Sequence, residues 1–294
     1  MVFPRMKLRL PLNCSIGAGL VALSAGLTRE AAEQLADLSA APVGPVHRAR
    51  VALKRARSAL RLLEKAGAAW AIMPRYRLAE LAARMSAARE MAVAAGLAGK
   101  LSRRLQGRER EVATLLAKKP GRLAPPGAEQ IRQELLAEAH HLALAPAPAV
   151  SPAELRALLR QSLHRADRWY YAAAMKPTLE AVHEWRKAVI VLRDQAALAA
   201  ARWPQGAGMA QPLLARLARQ LGRRGDLALL VRRLQRQRVS PALESARRKL
   251  IVRGAAQREQ ATLAALLRWL PLARRLGRLL AEKPRTVAAA YDRR

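Results

Sequence analysis

The chain has 294 residues, 52% of them apolar, and carries 54 Lys and Arg against 21 Asp and Glu, a formal charge of +33. This composition supports a buried core and excludes a disordered polar chain, while a single cysteine, Cys14, excludes an internal disulfide or a zinc site built on paired CxxC elements. No run reaches the roughly 18 apolar residues of a membrane span, and the basic excess is spread over both halves, so a polyanionic partner is expected.

The apolar content is chiefly Ala and Leu, and aromatic residues make up only 3%, which predicts an all-α fold. The basic start and the apolar run from Ile16 to Leu27 have the ingredients of a signal peptide, but the amphipathic pattern continues to Leu38. We read it as the first helix, 16–40, of a cytoplasmic protein. Helices follow at 45–66, 72–95, 97–117 and 128–144, separated by Pro and Gly clusters such as "KKPGRLAPPG". After the linker "APAPAVSP" the pattern predicts 152–174, 178–202, 209–223, 226–237, 240–267 and 270–282. Ser151 with Pro152, and Ser240 with Pro241, read as an N-cap followed by a first-turn proline.

Two segments repeat. "VHRARVALKRARSALRLL" (46–63) returns as "VHEWRKAVIVLRDQAAL" (182–198), and an offset of 136 aligns His47 with His183, Arg50 with Arg186, Arg57 with Arg193, Met85 with Leu221 and Glu90 with Asp226. We read two copies of one helical module, 1–145 and 146–294, each of about four helices and related by an internal pseudo-twofold axis.

At about 100° per residue, His47, Arg50, Lys54, Arg57, Arg61 and Lys65 fall within one stripe roughly 27 Å long, apart from the apolar arc of Leu53, Ala56, Leu60 and Leu63. Like charges three and four residues apart repel, and Glu64 is the only acid on the helix. A row of negative charges would relieve that repulsion through charge-assisted hydrogen bonds. A solvated basic face is the plainer explanation of one such helix, and its recurrence argues against that. The second helix keeps His183, Arg186 and Arg193 with Lys187 beside them, but has Ile190 and Ala197 where the first has Lys54 and Arg61. Arg156, Arg160, His164 and Arg168, at i+4 spacing on the preceding helix, are candidates to make up the deficit.

The two histidine segments resemble the histidine helices of the CHAD family, the conserved histidine α-helical domain. "RMSAAREMAVAAGL" (84–97) and "QLGRRGDLALLVRRL" (220–234) are similar to its Leu-Gly and Arg-Asp or His-Asp segments. The resemblance implies two packed helical bundles with a basic central groove for inorganic polyphosphate. By motif it places His47, Arg50, Lys54, Arg55 and Arg57 in that groove from the first half, and His183, Arg186, Lys187 and Arg193 from the second. Arg61 joins them through the stripe. Ile190 stands where the family usually has a lysine, and Gly225 where a His or Arg would precede Asp226. It also implies association with polyphosphate granules or with phosphate-handling enzymes.

Enzymatic chemistry finds little support. His140 and His141 are adjacent and diverge on a helix, His47 has no acid or Cys at helical spacing to orient it, and no GxxxxGK[ST] loop occurs. The single ExE, at 109–111, lacks the lysine of the triphosphate-tunnel signature found in some CHAD proteins, so we expect a stand-alone member, not an enzyme, with no cofactor or metal and no membrane partner. The competing function is nonspecific binding of a DNA or RNA backbone. Ten aromatic residues, with Trp70, Trp185, Trp203 and Trp269 read as core, provide little for stacking bases. Arginines beside His47 and His183 should depress their pKa in an empty groove and release it when phosphate enters.

Overall fold

The computed structural model describes residues 8–36, 38, 43–117 and 125–281, with side chains described at all of these but 43, 87–89 and 92. Its elements are α1 (Ile16–Glu33), α2 (Val43–Lys65), a 3₁₀ turn (Ala69–Ala71), α3 (Ile72–Arg84), α4 (Ser86–Ser102), α5 (Gly107–Ala117), α6 (Ala128–Ala143), α7 (Pro152–Met175), α8 (Leu179–Ala199), a π-turn (Pro204–Gly208), α9 (Met209–Arg236) and α10 (Pro241–Ala281). The described residues contain no strand, so the fold is all-α.

Local chemistry sets most boundaries. Ser15 accepts the amide of Ala18 at 3.2 Å to open α1, and Thr178 accepts that of Ala181 at 3.1 Å to open α8. Ser151 and Glu154 form a reciprocal capping box at α7, with Pro152 in the first turn as expected. Pro241 opens α10.

Several boundaries differ from the sequence reading: α1 stops at Glu33, short of the expected 40, and the break expected at 96 does not occur, because α4 runs on to Ser102 and α5 starts at Gly107. The helix expected over 72–95 is two helices that meet at Met85. The breaks expected at 223–226 and 267–270 do not occur, and α9 and α10 run through them. Gly222 and Gly225 cost about 1 kcal/mol each relative to Ala in a helix. Burial of Leu221, Leu230, Val231 and Leu234 on the same helix outweighs that. Pro271 removes one backbone donor from α10, yet Trp269 and Leu276 on either side are fully buried and hold the helix in place. Residues 37, 39 and 40 of the first expected helix and the linker 118–124 lie outside the described residues.

One hydrophobic cluster runs from Leu10 to Leu280 and draws on both halves of the chain. The apolar run from Ile16 to Leu27 is part of it: Ile16, Leu20, Leu23 and Leu27 are buried, with α1 against α2 and α6. Gly17 sits directly on the carbonyl of Pro148, so any Cβ there would collide with the interhelix linker. A smaller cluster joins Ala98, Val112 and Leu116 of α4 and α5 to Leu230, Leu234 and Leu250 of α9 and α10. Trp185, Trp269 and Tyr170 form an edge-to-face group in the main core, and Trp269 Nε1 donates to Asp167 Oδ1 at 2.8 Å.

Candidate functional site

The core face of α2 consists of Val46, Ala49, Leu53, Ala56, Leu60 and Leu63, all buried. Its cations are what remains to face outward, and two cavities lie along them. The narrower, about 410 Å³, is lined by Arg50, Lys54, Arg57 and Arg61 of α2, Arg165 of α7, and His183, Arg186 and Lys187 of α8, with Ser86 and Glu90 of α4. The wider, about 990 Å³, is lined by Arg9, by His47, Lys54 and Arg55 of α2, and by Arg186, Ile190, Arg193 and Asp194 of α8, with Gln211, Ala215 and Ala218 of α9.

Lys54, Arg186 and Ile190 line both cavities, which therefore adjoin. The narrow cavity pairs the first turns of α8 with the later turns of α2, and the wide one does the reverse. The two helices thus pass antiparallel, and Lys54 and Ile190 mark the crossing. The histidines end up in different cavities.

All ten residues expected on the two histidine helices line one cavity or both. Arg160, His164 and Arg168 line neither and stand exposed on α7. The arc of α7 that faces α2 is the one bearing Gln161, which accepts from Lys65 Nζ at 3.1 Å, and Arg165 one turn on. The run of basic residues drew attention to the exposed arc, while the i,i+4 pair Gln161 and Arg165 was the signal on the facing one. Arg9 carried no periodic signal. It is placed by the burial of Leu10, whose amide donates to the Leu198 carbonyl at 2.9 Å.

The arginines are held by their surroundings. Arg50 Nη1 donates to the Ala82 carbonyl and, at 2.9 Å, to Ser86 Oγ, so it occupies the break between α3 and α4 where helix-terminal carbonyls are open. Arg186 lies against the Cα of Gly225, where a Cβ would meet its guanidinium. The Nε atoms of Arg55 and Arg57 are buried without a hydrogen-bond partner.

Charge is unevenly offset. Arg61 has its pKa lowered to about 10, first by burial and then by Arg165, Arg75 and Arg57, with Glu64 opposing. Burial and Arg75 lower that of Arg57. Glu64 is taken up by Arg75 at 2.7 Å. In the wide cavity Asp194, almost wholly buried, accepts from Arg193 at 2.6 and 2.9 Å, and burial raises its pKa against the pull of Arg193, Arg55 and Lys54. Burial, then Lys187, lowers the pKa of His183, with Arg186 and Arg224 adding to the effect.

Such an arrangement can hold an extended anion through many donors. Among the described residues no group of three His, Cys, Asp or Glu is placed to hold a metal ion, and no helix is long and apolar enough to cross a membrane. His140 and His141 are exposed at the end of α6, with ring centroids 6.4 Å apart.

The CHAD domain sequence profile matches residues 22–235. The chain belongs to the CHAD domain family. No curated protein matches it. Apart from Leu8 and Arg9, every residue lining the two cavities lies within the CHAD match, which ends in the last turn of α9 and leaves α10 beyond it. The family is linked in general to polyphosphate binding.

Proposed function

We propose that this CHAD protein binds inorganic polyphosphate along the two adjoining cavities, as a binding protein and not an enzyme, with α2 and α8 as pseudo-twofold counterparts. The observation that carries the reading is charge without stacking. Among the described residues, ten Lys and Arg line the two cavities against two carboxylates, Glu90 and Asp194, and no Phe, Tyr or Trp lines either. Trp185, Trp203 and Trp269 are at most 2% exposed and cannot stack on a base. Phosphate oxygens would satisfy the buried donors of Arg55 and Arg57, which otherwise carry a desolvation cost. In a cell, this reading places the protein in the cytoplasm on polyphosphate granules, or presenting the polymer to phosphate-handling enzymes.

Calorimetric titration with long-chain polyphosphate and with duplex DNA, at matched phosphate and two salt concentrations, tests it. The wild type should prefer polyphosphate, and an Arg50→Ala, Arg57→Ala, Arg186→Ala variant that keeps its melting transition should lose that preference. Equal binding of both polymers, unchanged in the variant, would leave the stripes as ordinary basic faces and favour nucleic acid.

A further inference from the structure

A third cavity, about 390 Å³, lies at the far end of α9, lined by Arg232, Arg233 and Arg236 with Leu229, and by Glu90 and Met91 of α4. Glu90 also lines the narrow cavity, so the two meet at that residue. One face of α9 runs past all three. Gln211, Ala215 and Ala218 line the wide cavity, Gly225 lies beneath Arg186, and Leu229, Arg232 and Arg236 line the third. These positions follow one another at spacings of three, four and seven, which keeps them within a single arc of the helix. From Gln211 to Arg236 the face spans about 38 Å at ~1.5 Å per residue.

Basic residues at a helix C-terminus ordinarily serve to offset the macrodipole. Here Arg247 of α10 already does so, donating to the carbonyls of Leu234 and Gln235 at 3.1 Å and of Gln237 at 3.4 Å. Among the described residues no carboxylate pairs with Arg232, Arg233 or Arg236. Three guanidinium groups that pair with no carboxylate, in a cavity whose one lining acid is Glu90 and which is continuous with two cationic ones, form an anion surface that the helix itself does not require.

We propose that Arg232, Arg233 and Arg236 form an outer subsite for the distal part of a long linear polyphosphate, so that α9 sets a preference for long chains over short ones. The proposal rests on the polyphosphate reading above. A short polyphosphate is held in the cavities along α2 and α8. A long one continues past Glu90, whose carboxylate opposes it, onto the α9 arginines.

Titration of the full chain with tripolyphosphate and with long-chain polyphosphate, each over a salt series, tests this. An Arg232→Ala, Arg233→Ala, Arg236→Ala variant should bind tripolyphosphate as the wild type does. It should bind the long chain about tenfold more weakly or worse, with the log-log salt slope smaller by about 2, at ~0.7 per contact on a single-stranded polyanion. The corresponding triple Lys variant should keep the slope. Removing three exposed arginines of α10 that line no described cavity, Arg268→Ala, Arg274→Ala and Arg275→Ala, should have much less effect. An unchanged long-chain affinity in the first variant, or an equal loss in the α10 control, overturns the outer subsite while leaving the central reading intact. Failure of the wild type to bind either polyphosphate overturns the central reading itself.

Discussion

The two cavities that meet at Lys54 and Ile190 are built from matching helices yet differ in charge and size. The narrow one crowds seven Lys and Arg and His183 around Glu90 in about 410 Å³. The wide one spreads five Lys and Arg and His47 over about 990 Å³ and neutralises one of them through the Arg193 pair with Asp194. Arg57 and Arg193 show the contrast at aligned positions: the first is half-buried with no carboxylate, and the second is tied to one. A shared sequence pattern thus yields one region where Lys187 is paired with Glu184 at 2.5 Å but Arg57 and Arg61 repel their cationic neighbours, and another where Arg193, at the position aligned with Arg57, is already neutralised. The former has more to gain from an anion, because the free energy of binding includes the repulsion removed.

The sharpest way to break this contrast is to strip the narrow cavity. Arg57→Ala, Arg61→Ala, Arg165→Ala should weaken polyphosphate binding by two orders of magnitude or more, at about 1.5–3 kcal/mol per charged hydrogen bond. Arg9→Ala, Arg193→Ala should cost about tenfold. Calorimetry at fixed salt reads both, and a larger loss in the second pair would reverse the ranking of the cavities.

Levelling the contrast from the other side is a smaller change. Ile190→Lys places a second cation at the crossing, beside both cavities. It should raise affinity by about twofold to fivefold, within the range of a surface charge interaction, and lower the melting temperature of the free protein. Unaltered affinity would mean that the polymer does not pass the crossing.

Repulsion in the narrow cavity also predicts an effect without ligand. Arg61→Met keeps the buried stem and removes a charge held near Arg165, Arg75 and Arg57. The free protein should gain about 1 kcal/mol or less once solvent screening is allowed for, while binding weakens. Thermal unfolding at low and high salt checks this, because salt should shrink the gain.

The smallest effect is in pH. The free protein holds the His183 pKa below its ordinary value near 6.5, so the unfolded chain binds the more protons and stability falls as pH drops through 6.5 and below. A bound polyanion favours the charged imidazole, so binding takes up a proton and should tighten a few-fold over the same window. His183→Ala should flatten that dependence, and a slope that survives the substitution would assign it elsewhere.

Much of the site was legible in the chain because an α-helix converts spacing directly into direction. The 3.6-residue period places His47, Arg50, Lys54, Arg57 and Arg61 on one side of α2, and the offset of 136 points to His183, Arg186 and Arg193 without any knowledge of packing. The scarcity of aromatic and β-branched residues likewise settles the all-α class. Where the reading went astray, the competing force was tertiary. Gly222 and Gly225 have the propensity of a break, but α9 continues because its apolar residues are buried on both sides and Arg186 occupies the space a side chain at 225 would fill. Met85 has no propensity to stop a helix, yet α3 ends there and Arg50 takes up the open carbonyl of Ala82.

The helical class, the family resemblance and the cationic faces of α2 and α8 follow from the chain alone, since they depend on interactions within a few residues. Packing between helices sets the rest: the two histidines occupy separate cavities, Arg165 rather than Arg160, His164 or Arg168 lines the narrow one, and α9 runs unbroken to its terminal arginines. Those outcomes depend on how helices cross and on which charges are buried together, and residues far apart in the chain set both.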